Sequence, residues 1–223
     1  MVSKNGGSSL LRDCPLLTDT ASKIVEAVGD QVPVTGKIRI GWDQQTINAP
    51  RVCHLLEDCG IQAIAIHGRT RSQGYRGEAD WEVIDECAQF VKVPIIGNGD
   101  IDSAEILKER KETTAVSGAM IGRAAMQNPW IFTEAKTYLE TGELPPRPSI
   151  AERWGFIIRH CRLAVESDRY GEERHTLMAM RSRLMTYCKG FPGAKPLRQQ
   201  LSQVQSIADV EEIAANSQVI SSD

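Results

Sequence analysis

Two glycine turns carry the first chemical signal in this 223-residue chain, Ile96-Gly97-Asn98-Gly99-Asp100 and Met120-Ile121-Gly122-Arg123-Ala124. Each follows a short apolar run and precedes a helical pattern, so each falls where a buried strand opens into a loop. Glycine lets backbone approach a ligand closely, and a helix start offers unpaired N–H groups to an anion. Arg123 adds a permanent charge whose fork suits phosphate. Lys37 and Arg39 sit in the otherwise apolar stretch Thr35 to Ile40, where two cations are costly unless something anionic meets them. His67 closes another apolar stretch, Ile61 to Ile66, just before Gly68. A phosphate-bearing cofactor or substrate is the expected ligand of the two turns, through Asn98, Gly99, Asp100, Gly122 and Arg123, with ordinary βα turns and a surface arginine as the plainer reading. Lys37 and His67 stand at strand ends where a ligand would meet them, and no metal is expected.

A second feature is the run Arg69-Thr70-Arg71-Ser72-Gln73-Gly74-Tyr75-Arg76-Gly77. Arginines interleaved with an aromatic can grip phosphate and stack on an unpaired base. A solvated loop with a half-buried tyrosine is the plainer reading of the same residues.

These residues need elements to position them. Leu17, Ala21, Ile24, Val25 and Val28 recur at helical spacing, and Val34 to Ile40 reads as a strand. Asn48 is placed to cap a helix whose inner face is Val52, Leu55, Leu56 and Cys59, with Gly60 ending it. Ile61 to Ile66 reads as a strand buried on both faces. A helix through Val83, Ile84, Cys87 and Val91 leads to the strand Val93 to Ile96. Asp102-Ser103-Ala104-Glu105 has capping-box spacing with Asp102 as cap. Ala115 to Ile121 is the last strand and Pro129 to Leu139 a helix. Right-handed crossovers make the four strands parallel. Four βα units are half of a (β/α)8 barrel, whose last two strands carry its usual phosphate site. Beyond Pro145-Pro146-Arg147-Pro148 only helices are expected, over Ile150 to Arg169, Glu173 to Tyr187 and Pro196 to about Ala215. The boundary therefore falls between residues 1–146 and 147–223.

The apolar fraction of 41% and charged fraction of 25% are ordinary for a globular protein. No run is long enough to cross a membrane, and six cysteines without a C-x-x-C pair point to a reduced, cytoplasmic setting. The net charge of −3 hides segregation: residues 147–199 hold 11 Lys/Arg against 5 Asp/Glu, whereas residues 1–146 hold 15 against 20. A basic helical segment on an acidic protein suggests a polyanion such as RNA, with Arg181, Arg183 and Arg198 as candidate contacts, and a solvated helix surface is the equal alternative from charge alone.

Several motifs in order resemble the tRNA-dihydrouridine synthases, most nearly the bacterial B-type enzymes. They are Lys37-Ile38-Arg39-Ile40-Gly41-Trp42, His67-Gly68-Arg69-Thr70-Arg71, Gly97-Asn98-Gly99-Asp100-Ile101 and Met120-Ile121-Gly122-Arg123-Ala124. Gln127-Asn128-Pro129-Trp130-Ile131-Phe132 and Lys189-Gly190-Phe191-Pro192-Gly193-Ala194 extend the likeness through the helical tail. The resemblance implies a TIM-barrel flavoprotein binding FMN, and a C-terminal helical domain that helps hold tRNA. It implies that NADPH reduces the flavin, which passes hydride to C6 of a uridine while a cysteine acid protonates C5. On this chain Lys37 and His67 would contact the flavin, and Asn98-Gly99-Asp100 with Gly122-Arg123 would hold ribityl and phosphate. Arg39, Arg69, Arg71 and Tyr75 would face substrate, with Arg181, Arg183 and Arg198 on the tRNA.

The family's cysteine lies in an Asn-x-Gly-Cys-Pro motif, expected upstream of Met1, just before the segment matched by Lys4 to Asp13. No catalytic residue is therefore expected within this sequence, and Cys14-Pro15, at a helix start, is read as incidental. The chain alone is expected to be inactive and to self-associate through unpaired barrel strands. A non-catalytic RNA-binding module and an FMN barrel acting on a small molecule are the other readings.

Overall fold

The computed structural model describes residues 6–29, 31–168, 171–191 and 193–219. Met1, Lys4, Arg169 and Pro192, all named above, lie outside the described residues, and so does the cysteine expected upstream of Met1. The chain divides into two compact units, one of residues 1–124 and 131–143, the other of residues 125–130 and 144–223.

The first unit alternates helix and strand. A 3-10 turn at Gly7–Arg12 leads to α1 (Cys14–Val28), β1 (Thr35–Arg39), α2 (Ala49–Asp58), β2 (Ala63–His67), α3 (Trp81–Phe90), β3 (Ile95–Asn98), α4 (Ala104–Thr113), β4 (Gly118–Met120), α5 (Arg123–Gln127), whose last three residues belong to the second unit, and α6 (Ile131–Thr141). The strands form one parallel sheet in the order β1-β2-β3-β4. This is the arrangement of half of a (β/α)8 barrel. Its core is apolar side chains between sheet and helices, among them Ile64 and Ile66 of β2, Val52 of α2 and Ile84 of α3, all fully buried. At about 25 cal/mol per Å2 of apolar surface, each such side chain contributes roughly 1.5–3 kcal/mol.

Local chemistry sets the helix ends. Asp13 accepts from Leu16 N at 3.1 Å, with proline in the first turn, so Cys14 opens α1 as an ordinary helix-start residue. Two expected caps are corrected. Ser103, not Asp102, caps α4, its Oγ accepting from Ile106 N while its own backbone is extended. Asn48 stands in the cap position of α2 but donates from Nδ2 to Leu11 O at 2.8 Å, tying the 3-10 turn to the start of α2. The last strand is shorter than Ala115 to Ile121, since only Gly118–Met120 pair with β3. The helix expected from Pro129 begins at Ile131.

The second unit is helical, with α7 (Ile150–Ser167), α8 (Glu173–Tyr187), α9 (Ala194–Leu201) and α10 (Ile207–Val219). Ser149 and Glu152 form a full capping box at α7. The core gathers Trp154, Ile157, Leu177, Leu184 and Leu201. The single helix expected from Pro196 onward is two helices. Asp209 accepts from both Gln205 N and Ser206 N, and these bonds start α10 anew after the break.

Candidate functional site

Register across the sheet places the polar side chains in one row. Arg39 pairs with His67, His67 with Asn98, and Asn98 with Met120. One step back, Lys37 pairs with Ala65 and Ala65 with Ile96. The intervening residues face the helices, because a Cβ on Gly36 would meet Leu56 and one on Gly97 would strike the Trp81 ring. Side chains alternate along a strand, so Lys37, Arg39, His67 and Asn98 share the opposite face at the strand C-termini. In barrel enzymes that end carries the chemistry.

The turn after β3 is held from several sides. Trp81 Nε1 donates to Gly99 O at 3.1 Å, and Gly68 N donates to Asn98 O at 2.9 Å. Asn98 Nδ2 donates to Met120 O at 2.7 Å, locking β3 to β4. Asp100, at φ +53, accepts from Arg69 Nη2 at 2.7 Å, Ala79 N at 2.8 Å and Arg123 Nη2 at 3.2 Å. Burial alone would push this carboxyl up, but the bonds from Arg69 and Ala79 N–H and the charges of Arg69 and Arg123 hold it below the usual range. Arg123 also lies 4.7 Å from the centre of the Tyr75 ring. Gly122 leaves open space, since a Cβ there would approach only Asn98 Nδ2, at 3.9 Å. The short α5 gives little helix dipole, so anion attraction here rests on Arg123 and the glycine backbone.

His67 is 9% exposed. Burial first, then the charges of Arg39, Lys37 and Arg69, lower its pKa from 6.5 to about 4, with Asp100 opposing them. It is neutral at pH 7 and can offer one N–H. Because the folded value lies below the unfolded one, its contribution to stability is present above pH 6.5 and is lost as pH falls toward about 4. We expect His67→Gln to flatten the acid limb of a stability–pH curve in that window. Urea melts at pH 7.5 and 5.0 check this, and an unchanged limb contradicts it. Lys37 is exposed and has no hydrogen-bond or ion-pair partner among the described residues; burial, then Arg39, lowers its pKa.

The loop after β2 uses its arginines unequally. Arg69 is 3% exposed and donates to Arg76 O and Gly77 O besides Asp100. Arg39 donates from Nη1 to Thr70 O at 2.8 Å and Gly74 O at 3.1 Å. Both guanidiniums brace the loop. Arg71 and Tyr75 stay exposed, and the Tyr75 ring lies 6.4 Å from that of His67.

In the helical unit the three named arginines also divide. Arg181 donates to Val204 O and Gln203 O, closing the end of α9. Arg183 and Arg198 are exposed. Arg198 lines an open pocket of about 310 Å3 with Gln127, Ser182, Met185, Thr186 and Lys189. The charge of Arg183 is felt at His160, whose pKa is lowered by burial first and then by Arg183.

A sequence profile described as "Dihydrouridine synthase (Dus)" matches residues 1–222. The chain belongs to the dihydrouridine synthase family. It is 43% identical over 202 residues to the tRNA-dihydrouridine synthase B of Pseudomonas aeruginosa, covering 91% of this chain and 59% of that protein. It is 40% identical over 198 residues to a probable tRNA-dihydrouridine synthase of Rickettsia bellii, covering 89% and 59%. It is 39% identical over 210 residues to the probable tRNA-dihydrouridine synthase 1 of Synechocystis, covering 94% and 58%. The chain thus spans less than two thirds of the length of these relatives.

For a dihydrouridine synthase family member, sequence reasoning found the polar row but missed what fixes it. Trp81 holds the Gly99 carbonyl, and Asp80 N donates to Gly68 O. The available signal was Ala79-Asp80-Trp81 at a helix start, with Asp80 accepting from Val83 N as cap. Among the described residues no helix is long and apolar enough to cross a membrane. None of the six cysteines stands in the polar row; Cys53, Cys87, Cys161 and Cys188 are buried, and Cys14 and Cys59 are half-buried.

Proposed function

We propose that this chain supplies the FMN-phosphate site and part of the tRNA surface of a flavin-dependent tRNA-dihydrouridine synthase. The observation that carries the reading is the row Arg39–His67–Asn98 ending beside the glycine turns and Arg123. The donor set fits an anionic, acceptor-rich group. Lys37, Arg39, Arg69 and Arg123 outnumber the one carboxylate among them, Asp100, which already accepts three bonds. Lys37 Nζ and the buried Nη1 of Arg69 keep unused donors among the described residues. When bound, FMN reduced by NADPH would supply hydride chemistry toward C6 of a uridine.

The chain's own residues bind and orient. Gly122 and Arg123 would receive the phosphate, and Asn98-Gly99-Asp100 would hold the ribityl chain. Asp100 aims Arg123 while its carboxylate stays ionised. Lys37 and neutral His67 would face the ring system, where Lys37 would offset negative charge. Arg39 and Arg69 act by positioning the loop, and Arg71 and Tyr75 are its exposed groups toward tRNA. Residues 1–146 form the cofactor part and 147–223 the helical tRNA-binding part. With no thiol in the polar row, the chain alone forms no dihydrouridine from NADPH, FMN and unmodified tRNA; turnover by it would assign the proton donor to Cys14. The unpaired outer edges of β1 and β4 favour self-association of the isolated chain. The protein acts in the cytoplasm, where its tRNA substrate resides.

The tRNA reading is tested by salt titration. Changing Arg183 and Arg198 together to Gln should weaken tRNA binding and reduce the slope of log K against log salt by roughly 0.7–0.9 for each phosphate no longer engaged. Arg181→Gln should instead lower stability by about 1–2 kcal/mol, because its hydrogen bonds to two carbonyls go with the guanidinium. An unchanged slope in the double variant would return those arginines to a solvated surface.

A further inference from the structure

Away from the row described above, the same end of the sheet gathers a second group of cations around Trp42. The guanidinium of Arg12 lies 4.9 Å from the centre of the Trp42 ring and that of Arg71 lies 5.3 Å from it. Cation–π contacts on protein surfaces are common singly, but two cations on one indole set like charges side by side. Both arginines are exposed, and neither side chain has a hydrogen-bond or ion-pair partner among the described residues. The carboxylates adjacent to this group in sequence are committed elsewhere. Asp13 caps α1 through Leu16 N, and Asp43 accepts from Gln45 N and Thr46 Oγ1 in a capping box.

Three segments distant in sequence are locked together to build this arrangement. Asn48 fixes Leu11 O and so the end of the turn that carries Arg12. Gly41 packs so closely that a Cβ would meet Thr46 O at 2.6 Å and Ile47 Cα at 2.7 Å. Arg71 N donates to Gly41 O and Ser72 N to Trp42 O, both at 2.9 Å. The backbone segments that carry the two charges are therefore held in place before any ligand arrives, which lowers the ordering cost of binding. They stand on an open surface around a half-buried ring, and they lie in a stretch, residues 1–146, that is otherwise net acidic.

We propose that Arg12, Trp42 and Arg71 form a clamp for the phosphodiester backbone of the RNA substrate, with Trp42 orienting the two guanidiniums so that their N–H edges meet successive phosphates. This rests on the tRNA reading above and adds Arg12 and Trp42 to it. Two exposed guanidiniums on an open surface match a polyanionic strand better than one compact anion, which a pocket would enclose.

The test uses the full chain, unmodified tRNA and fluorescence anisotropy at several salt concentrations. The pair Arg12→Gln with Arg71→Gln should bind tRNA about three- to tenfold more weakly at low salt, with a slope smaller by roughly 0.7 for each phosphate released. Trp42→Leu should weaken binding similarly with both arginines still present. Lys111→Gln, in the last turn of α4 at the opposite end of the strands, should change neither quantity. Should Trp42→Leu fail to fold, the arginine pair decides alone. Wild-type affinity and slope in that pair would overturn the clamp and leave the tRNA reading intact. Absence of tRNA binding by the wild type would overturn both. A loss confined to NADPH binding would overturn it too, by assigning the charges to a dinucleotide phosphate.

Discussion

Replacing Asp100 by Ala should destabilise the protein by about 2–4 kcal/mol, more than any other single change of a charged residue in the first unit. Arg69 is 3% exposed, and its shortest side-chain ion pair is with Asp100. Removing the carboxylate leaves a buried guanidinium with two carbonyls and no counter-charge. It also frees Ala79 N, releases Arg123, and puts Ala at a backbone φ of +53. Asp100→Asn should cost less, because Asn tolerates that backbone and can still accept hydrogen bonds. In an Arg69→Met background, Asp100→Ala should lose at least half of its effect, as a double-mutant cycle reports. Urea unfolding checks both values. A cost under about 1 kcal/mol for Asp100→Ala would mean that water replaces the carboxylate without penalty.

The second large effect is expected at Gly99. Its φ of +135 is open to glycine and strained for any other residue. A Cβ there would also stand 2.5 Å from Ala79 Cβ. Gly99→Ala should therefore cost about 3 kcal/mol and pull the Gly99 carbonyl from Trp81 Nε1, with a change in tryptophan emission. Gly74 makes the contrast. It has φ +63 with nothing near its missing Cβ, so Gly74→Ala carries backbone strain alone, about 1 kcal/mol. Equal losses at the two positions would show that the close approach of Ala79 is relieved without cost.

Much of the first unit was legible because parallel strands leave strong local marks. Continuous apolar runs ended in glycine turns, and caps or glycines closed the helices, so the order of elements followed from the chain, with the bounds of β1, β2 and β3 one or two residues off. The polar row was legible too, since residues at strand ends share a face by alternation. What escaped depends on neighbours distant in sequence. Arg69 reads like a solvated loop arginine and Arg39 like a strand cation awaiting an anion, yet their guanidiniums meet backbone carbonyls several to 35 residues away. Arg181 reads like an RNA contact but closes the end of α9, 22 or 23 residues on. The break between α9 and α10 has no glycine or proline to mark it; the Asp209 carboxylate that starts α10 follows it. Trp42 carries two cations only because three separate segments are tied together around it.

Whether Gly122 and Arg123 receive a cofactor phosphate is decided most directly by comparing FMN with riboflavin, which lacks that phosphate. Flavin-fluorescence titrations of the wild type, Arg123→Ala and Arg71→Ala would give an affinity for each flavin in each protein. We predict that the wild type prefers FMN and that Arg71→Ala keeps the preference. Arg123→Ala should lose about 1.5–3 kcal/mol of FMN affinity, bringing the two flavins close together. An unchanged preference in Arg123→Ala, or equal binding of both flavins by the wild type, would contradict the phosphate assignment.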